Sequence, residues 1–181
     1  GVGLARERIG NYRVLKVLGR GGMGIVYQVK HEQLGRVRAL KLLAGHLVDN
    51  REAVERFRAE VENTGRLDHP NIVQAIDAGE ISGEYFLVMD FVDGWSLGQL
   101  VEEYRQRGEL MPVGVACELI RQAAIGLQHA HEHLLVHRDI KPSNLMLNRR
   151  GEVKILDLGL ARFVAEQDAR TRLTLPFGGM G

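Results

Sequence analysis

The first part of the chain alternates between apolar and polar positions with the period of β-strands. Residues 12–43 contain three such runs, YRVLKVLG, IVYQVK and VRALKLL. Strict alternation rich in β-branched residues predicts half-buried strands. The glycines at 19–24 predict a tight hairpin between the first two strands, and Gly35 predicts a turn before the third. Further apolar runs near 72–78 and 84–91 predict two more strands of the same small sheet.

Helical spacing replaces this alternation in three places. The first predicted helix begins at Asp49, with Glu52 three residues later in a capping-box arrangement. Its apolar stripe is formed by Val54, Phe57 and Val61. A short helix is predicted after Ser96, and Pro112 opens a long third helix. The core stripe of that helix is expected to consist of Val115, Leu119, Ala123, Leu127, Ala130 and Leu134.

Composition indicates an ordinary globular protein, with 45% hydrophobic and 26% charged residues. The formal net charge of +1 gives no indication of a nucleic-acid partner. Cys117 is the single cysteine, so no intrachain disulfide can form, and we expect a reducing, cytoplasmic location. No apolar run approaches the ~18 residues that span a membrane, so we expect no membrane segment within this chain. His129, His131 and His133 alternate on a predicted helix and point in different directions, which leaves a zinc site there a minor alternative.

The candidate chemistry lies in residues 137–144, which read HRDIKPSN. Asp139, Lys141 and Asn144 are followed by Asp157 after a short apolar run. A base, a cation and hard oxygen ligands in this order suit the transfer of a phosphoryl group from a magnesium nucleotide to a hydroxyl. The upstream members of the series are the glycine segment at 19–24, Lys41 and Glu60.

The glycine pattern alone would also fit a dinucleotide-binding domain. That fold needs a helix directly after the glycines and an acidic residue about 20 positions further on. Here IVYQV predicts a strand, and Lys41 stands roughly where the acidic residue would be expected. A hairpin flap is therefore favoured, with backbone N–H groups that can approach phosphates. Glu60 lies beside the apolar stripe of the first helix, where a carboxylate needs a cationic partner, and Lys41 is the natural candidate.

With HPNIV at 69–73, these motifs make the chain resemble the eukaryotic-type (Hanks-type) protein kinases, and within them the bacterial serine/threonine kinases. The resemblance runs from about Tyr12 to the last residue. It implies an α+β, bilobal fold in which a small antiparallel sheet lobe with one key helix precedes the first part of a mainly helical lobe. It divides the chain into a flank at 1–11, an ATP-binding small lobe at 12–91, and a hinge with an incomplete large lobe at 92–181. The implied activity of the full-length parent is transfer of the γ-phosphoryl group of ATP, with Mg²⁺, to serine or threonine hydroxyls of protein substrates.

The resemblance also implies roles for individual residues. Asp139 would be the catalytic base, Lys141 would offset charge on the transferred phosphoryl group, and Asn144 with Asp157 would hold magnesium. Lys41 would be the phosphate-binding lysine, and Glu60 of the first helix would hold it in place. The flap glycines over the phosphates would be Gly19, Gly21, Gly22 and Gly24. The adenine slot would comprise Leu18, Val26, Ala39, the gatekeeper Met89, Met146, and backbone groups of Asp90 and Val92.

Departures from the family pattern carry further expectations. Thr64 stands where an apolar residue would anchor the first helix, and is expected to loosen it, while Arg38 replaces a common valine and is expected to face solvent. Leu158 replaces the usual phenylalanine beside Asp157. Autophosphorylation is expected at one of two threonines in a polar segment, Thr171 or Thr174, with Arg138 as the phosphate partner.

The sequence stops at GGMG, within the family's activation segment. We therefore expect a fragment of a longer protein, which by itself binds ATP weakly at most and is inactive. Two other classes stay open. One is a pseudokinase that serves as a nucleotide-binding scaffold, and the other is a small-molecule kinase of the aminoglycoside or choline type.

Overall fold

A six-stranded antiparallel sheet dominates the first half of the chain. The computed structural model describes residues 6–22, 24–156 and 162–163. The strands are β1 (Arg8–Ile9), β2 (Tyr12–Gly21), β3 (Gly24–His31), β4 (Val37–Leu43), β5 (Ala75–Ile81) and β6 (Glu84–Asp90). Their order in the sheet is β1-β2-β3-β4-β6-β5. The sheet thus joins the three strands predicted at 12–43 to the two predicted further along, as antiparallel neighbours.

Helix α1 (Arg51–Gly65) packs against this sheet through a compact apolar cluster. The buried members of the cluster are Leu43, Val54, Phe57 and Leu87. The helix begins one residue later than predicted, because Asn50 is the N-cap and its side-chain oxygen accepts a hydrogen bond from the Ala53 N–H at 3.0 Å. The prediction of Asp49 as the first residue was therefore wrong. Both residue types cap helices well, and the backbone path decides which one is in place.

The second half contains two helices and short strands. A three-stranded sheet consists of β7 (Gly94–Ser96), β9 (Leu145–Asn148) and β10 (Val153–Ile155), in the order β10-β9-β7. The helices are α2 (Leu97–Gln106) and α3 (Val113–Glu132). A second pairing joins β8 (Leu135–Val136) to β11 (Arg162–Phe163), and short 3-10 helices occupy Gly45–Leu47 and Pro142–Asn144. The predicted capping of α2 is confirmed, since Ser96 and Gln99 form a reciprocal capping box.

The apolar stripe of α3 is buried in its middle and exposed near its ends. Leu119, Ala123 and Ala130 are buried against β10 and β8. Val115 is 44% exposed and Leu134 is 58% exposed, so the prediction that they belong to the core was wrong in the described structure. Leu134 lies beyond the end of the helix and has a left-handed φ of 60°. The helical period therefore no longer determines the direction of its side chain.

The strand predicted near 72–78 begins three residues later than expected, because β5 starts at Ala75. Ile72 forms a parallel bridge with Ile155 of β10, and the Val73 N–H donates to the Ile155 carbonyl at 3.0 Å. The segment between α1 and β5 therefore ties the large sheet to the second half of the molecule. Among the described residues, no helix is both long and apolar enough to cross a bilayer.

Candidate active site

One face of the large sheet collects the residues predicted to meet a nucleotide. In the strand register Val26 lies opposite Lys41, and Ala39 lies opposite Met89. Paired residues share a face of a sheet, as do residues two apart on one strand. Val26, Ala39, Lys41 and Met89 therefore line the same face of β3, β4 and β6. Ala39 is buried, whereas the other three are partly exposed and accessible to a ligand.

The glycine hairpin between β2 and β3 lies at the edge of this face, with Leu18 at its base and 41% exposed. A Cβ atom added to Gly19, Gly21 or Gly22 would meet no other atom within 4 Å. These three positions thus border open space, where a ligand could approach the backbone closely. Gly24 has a different reason to be glycine, because a Cβ there would lie 2.0 Å from the Leu42 carbonyl oxygen. Close contact between β3 and β4 requires a glycine at that point.

Lys41 and Glu60 form a nearly enclosed ion pair. The Lys41 ammonium lies 2.7 Å from one carboxylate oxygen of Glu60 and 2.6 Å from the other. The side chains are only 16% and 6% exposed. Helix α1 places Glu60 there because Phe57, one turn earlier, is buried on the same side of the helix. The pair predicted from the sequence is thus formed, and it fixes the direction of the Lys41 side chain.

Thr64, which the sequence predicts to loosen α1, is buried and hydrogen-bonded within the helix. Its side chain is 2% exposed, and its hydroxyl donates to the Glu60 carbonyl at 2.7 Å. A threonine within a helix satisfies its hydroxyl in this way without a distant partner. The polar residue is therefore accommodated at a buried position directly beside the ion pair.

A second ion pair, which the sequence reading missed, connects β4 to the end of β6. The Arg38 guanidinium lies 2.8 Å from the Asp90 carboxylate, directly across the sheet register. The Arg38 side chain is 21% exposed, so the expectation that it faces solvent was wrong. Only the strand register could have revealed this pair, because 52 residues separate its members.

The segment after β6 offers backbone groups to a ligand. The Asp90 N–H is committed to the Gln74 carbonyl at 3.0 Å. In contrast, no backbone hydrogen bond within the described part of the chain uses the N–H or the carbonyl of Val92. Met146, predicted as the floor of the adenine slot, lies on β9 and pairs with Ser96 of β7. It is partly exposed.

The loop after β8 brings together the three residues predicted to be catalytic. Asn144 is 8% exposed, and its side-chain N–H group donates to the Asp139 backbone carbonyl at 2.8 Å and to the Asp139 carboxylate at 3.2 Å. The Lys141 ammonium lies 3.2 Å from the same carboxylate oxygen. Asp139 therefore has its carboxylate oriented from two sides while about 30% of its side chain stays exposed. Such a group can still accept a proton or a hydrogen bond from an incoming hydroxyl.

His137 connects this loop to β10 from below. It is 1% exposed, and its Nδ1 accepts a hydrogen bond from the Asp139 N–H at 3.1 Å. Its Nε2 lies 2.8 Å from the Leu156 carbonyl, which can only accept, so Nε2 carries the proton. A neutral histidine thus fixes the backbone of Asp139 relative to the residue that precedes Asp157. Asp157 itself, with Leu158, Thr171 and Thr174, lies outside the described residues.

The donor set suits a hard divalent cation. The side-chain nitrogen of Asn144 is directed at Asp139, and among the described residues no hydrogen bond to the side-chain oxygen of Asn144 is formed. That oxygen and the carboxylate of Asp157 are the ligand types that magnesium prefers. Among the described residues, no group of three or more His, Cys, Asp or Glu side chains could hold a metal ion. The minor zinc alternative at His129, His131 and His133 therefore gains no support from this part of the chain.

Comparison with known proteins gives a consistent picture. The sequence pattern of the family described as "Protein kinase domain" matches residues 12–176. The chain is 38% identical to the serine/threonine-protein kinase PrkC of Bacillus subtilis over 84% of the chain and 23% of that protein. It is also 38% identical to the serine/threonine-protein kinase PknD of Mycobacterium tuberculosis (88% of the chain, 24% of that protein). The same identity relates it to the serine/threonine-protein kinase Pkn1 of Myxococcus xanthus (88% and 23%). The chain thus spans about a quarter of the length of these relatives.

Proposed function

Because the chain belongs to the protein kinase domain family, we propose that its full-length parent transfers the γ-phosphoryl group of ATP to serine or threonine hydroxyls of proteins. Membership of the family implies ATP and a divalent metal ion in general. Mg²⁺ is proposed as that ion, since the available ligands are hard oxygens. The relatives named above are serine/threonine kinases, which favours this acceptor class over tyrosine.

The observation that carries the proposal is the arrangement around Asp139. A carboxylate that is held by an amide and an ammonium group, yet partly exposed, is suited to orient an attacking hydroxyl and to receive its proton. Lys141 is proposed to offset the negative charge that develops on the transferred group. The side-chain oxygen of Asn144 is proposed to hold the metal ion together with the carboxylate of Asp157.

The large sheet is proposed to bind the nucleotide. Lys41, held by Glu60, is proposed to contact the α- and β-phosphates beneath the glycine hairpin. The apolar face around Ala39 is proposed to cover the adenine ring. The backbone of Val92, which makes no backbone hydrogen bond to any other described residue, is proposed to meet the edge of the ring. When bound there, ATP would supply the phosphoryl group and the divalent ion would offset the charge of its phosphates. On this basis residues 12–91 form the nucleotide-binding lobe, and 92–181 contain the hinge and the catalytic loop.

The protein acceptor is proposed to enter beside α2. A groove of about 790 Å³ lies there, lined by residues that include Trp95, Glu102 and Ser143. Ser143 belongs to the same loop as Asp139 and therefore connects this groove to the loop that carries the proposed base. Autophosphorylation at Thr171 or Thr174 stays a separate proposal. Mass spectrometry of the parent after incubation with ATP tests it, and the absence of phosphate from both threonines would overturn it.

The proposal is tested with the full-length parent and the substitution Asp139→Asn. Asparagine keeps an oxygen that can accept from Asn144, but it cannot take up a proton at neutral pH. Transfer of radiolabelled phosphate to a serine/threonine substrate should fall roughly 10²–10⁴-fold. ATP affinity, measured by calorimetry, should stay close to that of the wild type. Asp93→Asn is the matched control, because Asp93 is an exposed aspartate paired with Arg149 outside the loop, and it should leave transfer unchanged.

Two results would contradict this assignment. If Asp139→Asn transferred phosphate at the wild-type rate, Asp139 would not be the base. If the wild-type parent bound ATP with a divalent ion but transferred no phosphate to any protein, a scaffold function would replace the enzymatic one.

A further inference from the structure

Three histidines lie together where the segment between α1 and β5 crosses the end of α3. The ring centre of His129 is 4.9 Å from that of His69 and 4.3 Å from that of His133. Among the described residues, the His129 Nε2 is the one buried side-chain polar atom without a hydrogen-bond partner. We call His69, His129 and His133 the histidine cluster. It lies outside the candidate active site and has no role in the proposed mechanism.

The hydrogen bonds of the cluster determine where a proton can be added. The Asn71 N–H donates to the Nδ1 of His69 at 3.0 Å, so this nitrogen carries no hydrogen. Neutral His69 therefore carries its hydrogen on Nε2, and a second proton can enter only at Nδ1. Protonation of His69 must break the hydrogen bond from Asn71, because both nitrogens would then be donors.

Asn71 holds the strand that leads to Asp157. Its side-chain N–H group donates to the Val153 carbonyl at 2.9 Å, and its own carbonyl accepts from the Ile155 N–H at 2.9 Å. Gly126 of α3 makes the close approach possible, since a Cβ there would lie 3.0 Å from the Asn71 carbonyl oxygen. Asn71 thus forms hydrogen bonds to β10 with both its side chain and its backbone, so a change in its conformation would disturb that edge of the strand.

The surroundings of His69 disfavour a second proton. Burial lowers the pKa of His69, and His129 on α3 and Lys154 on β10 lower it further. Asp68 on the same segment and Glu132 on α3 act in the opposite direction and do not reverse the shift. Since the pKa in the folded state lies below the ordinary value of 6.5, folding favours the neutral ring. The stability from this preference is complete above about pH 6.5 and is lost as the pH falls through the folded-state pKa.

We propose that His69 is a proton-sensitive latch, in which protonation of Nδ1 releases Asn71 and loosens β10 on the path to Asp157. Mild acid then weakens the connection between the α1–β5 segment and β10, the strand that precedes the candidate metal ligand Asp157 in the sequence. The latch itself requires only the geometry of His69, Asn71 and β10. Its effect on phosphoryl transfer rests on the proposed function.

The test measures amide hydrogen exchange of the full chain by NMR from about pH 7 to about pH 5.5, where histidines titrate. In the wild type, the protection factors of the Asn71 and Ile155 amides should fall as the pH is lowered. The fall should be at most roughly tenfold for each unit by which the folded-state pKa of His69 lies below its ordinary value. In His69→Asn the fall should disappear, because an asparagine oxygen can accept from the N–H two residues later without titrating. His131→Asn is the matched control on α3 outside the cluster and should retain the wild-type pH dependence.

The His69 ring titration in the wild type is a second readout that needs no variant. A ring pKa at or above 6.5 would overturn the proposal, and so would an unchanged fall in protection in His69→Asn. Because both readouts are independent of phosphate transfer, an enzymatically inert parent would leave the latch intact and refute only the proposed function. Conversely, if the parent transferred phosphate but the protection of the Asn71 and Ile155 amides did not change with pH, only the latch would be refuted.

Discussion

The ion pair between Lys41 and Glu60 allows the clearest prediction about stability. At 2.6 Å and an effective dielectric constant of about 20, the attraction between the two charges amounts to about 6 kcal/mol. Desolvation of both groups offsets most of this attraction, because the side chains are only 16% and 6% exposed. The net value of the intact pair is therefore small. Removal of one partner is costly, because the other buried charge loses this attraction but keeps its desolvation penalty.

The two single substitutions should differ in cost. Lys41→Met removes the ammonium group that lies against the 6%-exposed Glu60 carboxylate and should lower the free energy of unfolding by about 3 kcal/mol. Glu60→Met leaves Lys41, which is more exposed and flexible enough to reach water, and should cost about 2 kcal/mol. The double variant should lose about 1 kcal/mol or less, since an apolar pair of similar volume fills the same space.

Urea denaturation of the chain, followed by far-ultraviolet circular dichroism, gives these values from the midpoint and slope. Arg51 and Glu55 provide the control pair, because they are joined at 2.9 Å on the same helix but are 92% and 63% exposed. Substitution of either should cost less than about 0.5 kcal/mol. If the double Lys41/Glu60 variant lost the sum of the two single costs, the residues would act independently, and mutual compensation of their buried charges would be refuted.

Three further predictions use the same denaturation measurement. Gly126→Ala should lower the free energy of unfolding by about 1 kcal/mol, because the new methyl group is forced against the α1–β5 segment. Gly114→Ala on the same helix is the control: its methyl group meets open space, so the free energy of unfolding should not fall. Asn50→Ala should cost about 1 kcal/mol through the loss of the helix cap, and equal costs for Asn50→Ala and Asp49→Ala would contradict the assignment of the cap. His137→Phe should cost about 2 kcal/mol, because the Asp139 N–H and the Leu156 carbonyl lose their hydrogen-bond partner. An unchanged stability would exclude the bridging role of His137.

Much of the site was predictable because it depends on local periodicity and on short motifs. Strand alternation placed Lys41 near the glycine hairpin, and helical spacing placed Glu60 on the buried side of α1. Two periodic elements of this kind predict a pairing even across 19 residues. Asp139 and Asn144 are five residues apart on one loop, so their contact also follows from the local chain path.

Other features were not predictable, because they arise from the contact of distant segments. The pair of Arg38 with Asp90 requires the register of β4 against β6, which no local pattern fixes. Asn71 stood in the quoted HPNIV segment, yet its bonds to β10 cross more than 80 residues.

The sequence by itself determined the type and order of the elements and the chemical identity of the candidate site. Periods of two and 3.6 residues and short functional motifs are properties of neighbouring residues, and they persist whatever the tertiary packing. The tertiary structure alone decided which nitrogen of His69 is free to take a proton, and which groups of Asn71 bind β10. Such properties depend on the environment of a side chain, and that environment is assembled from residues that are remote in the chain.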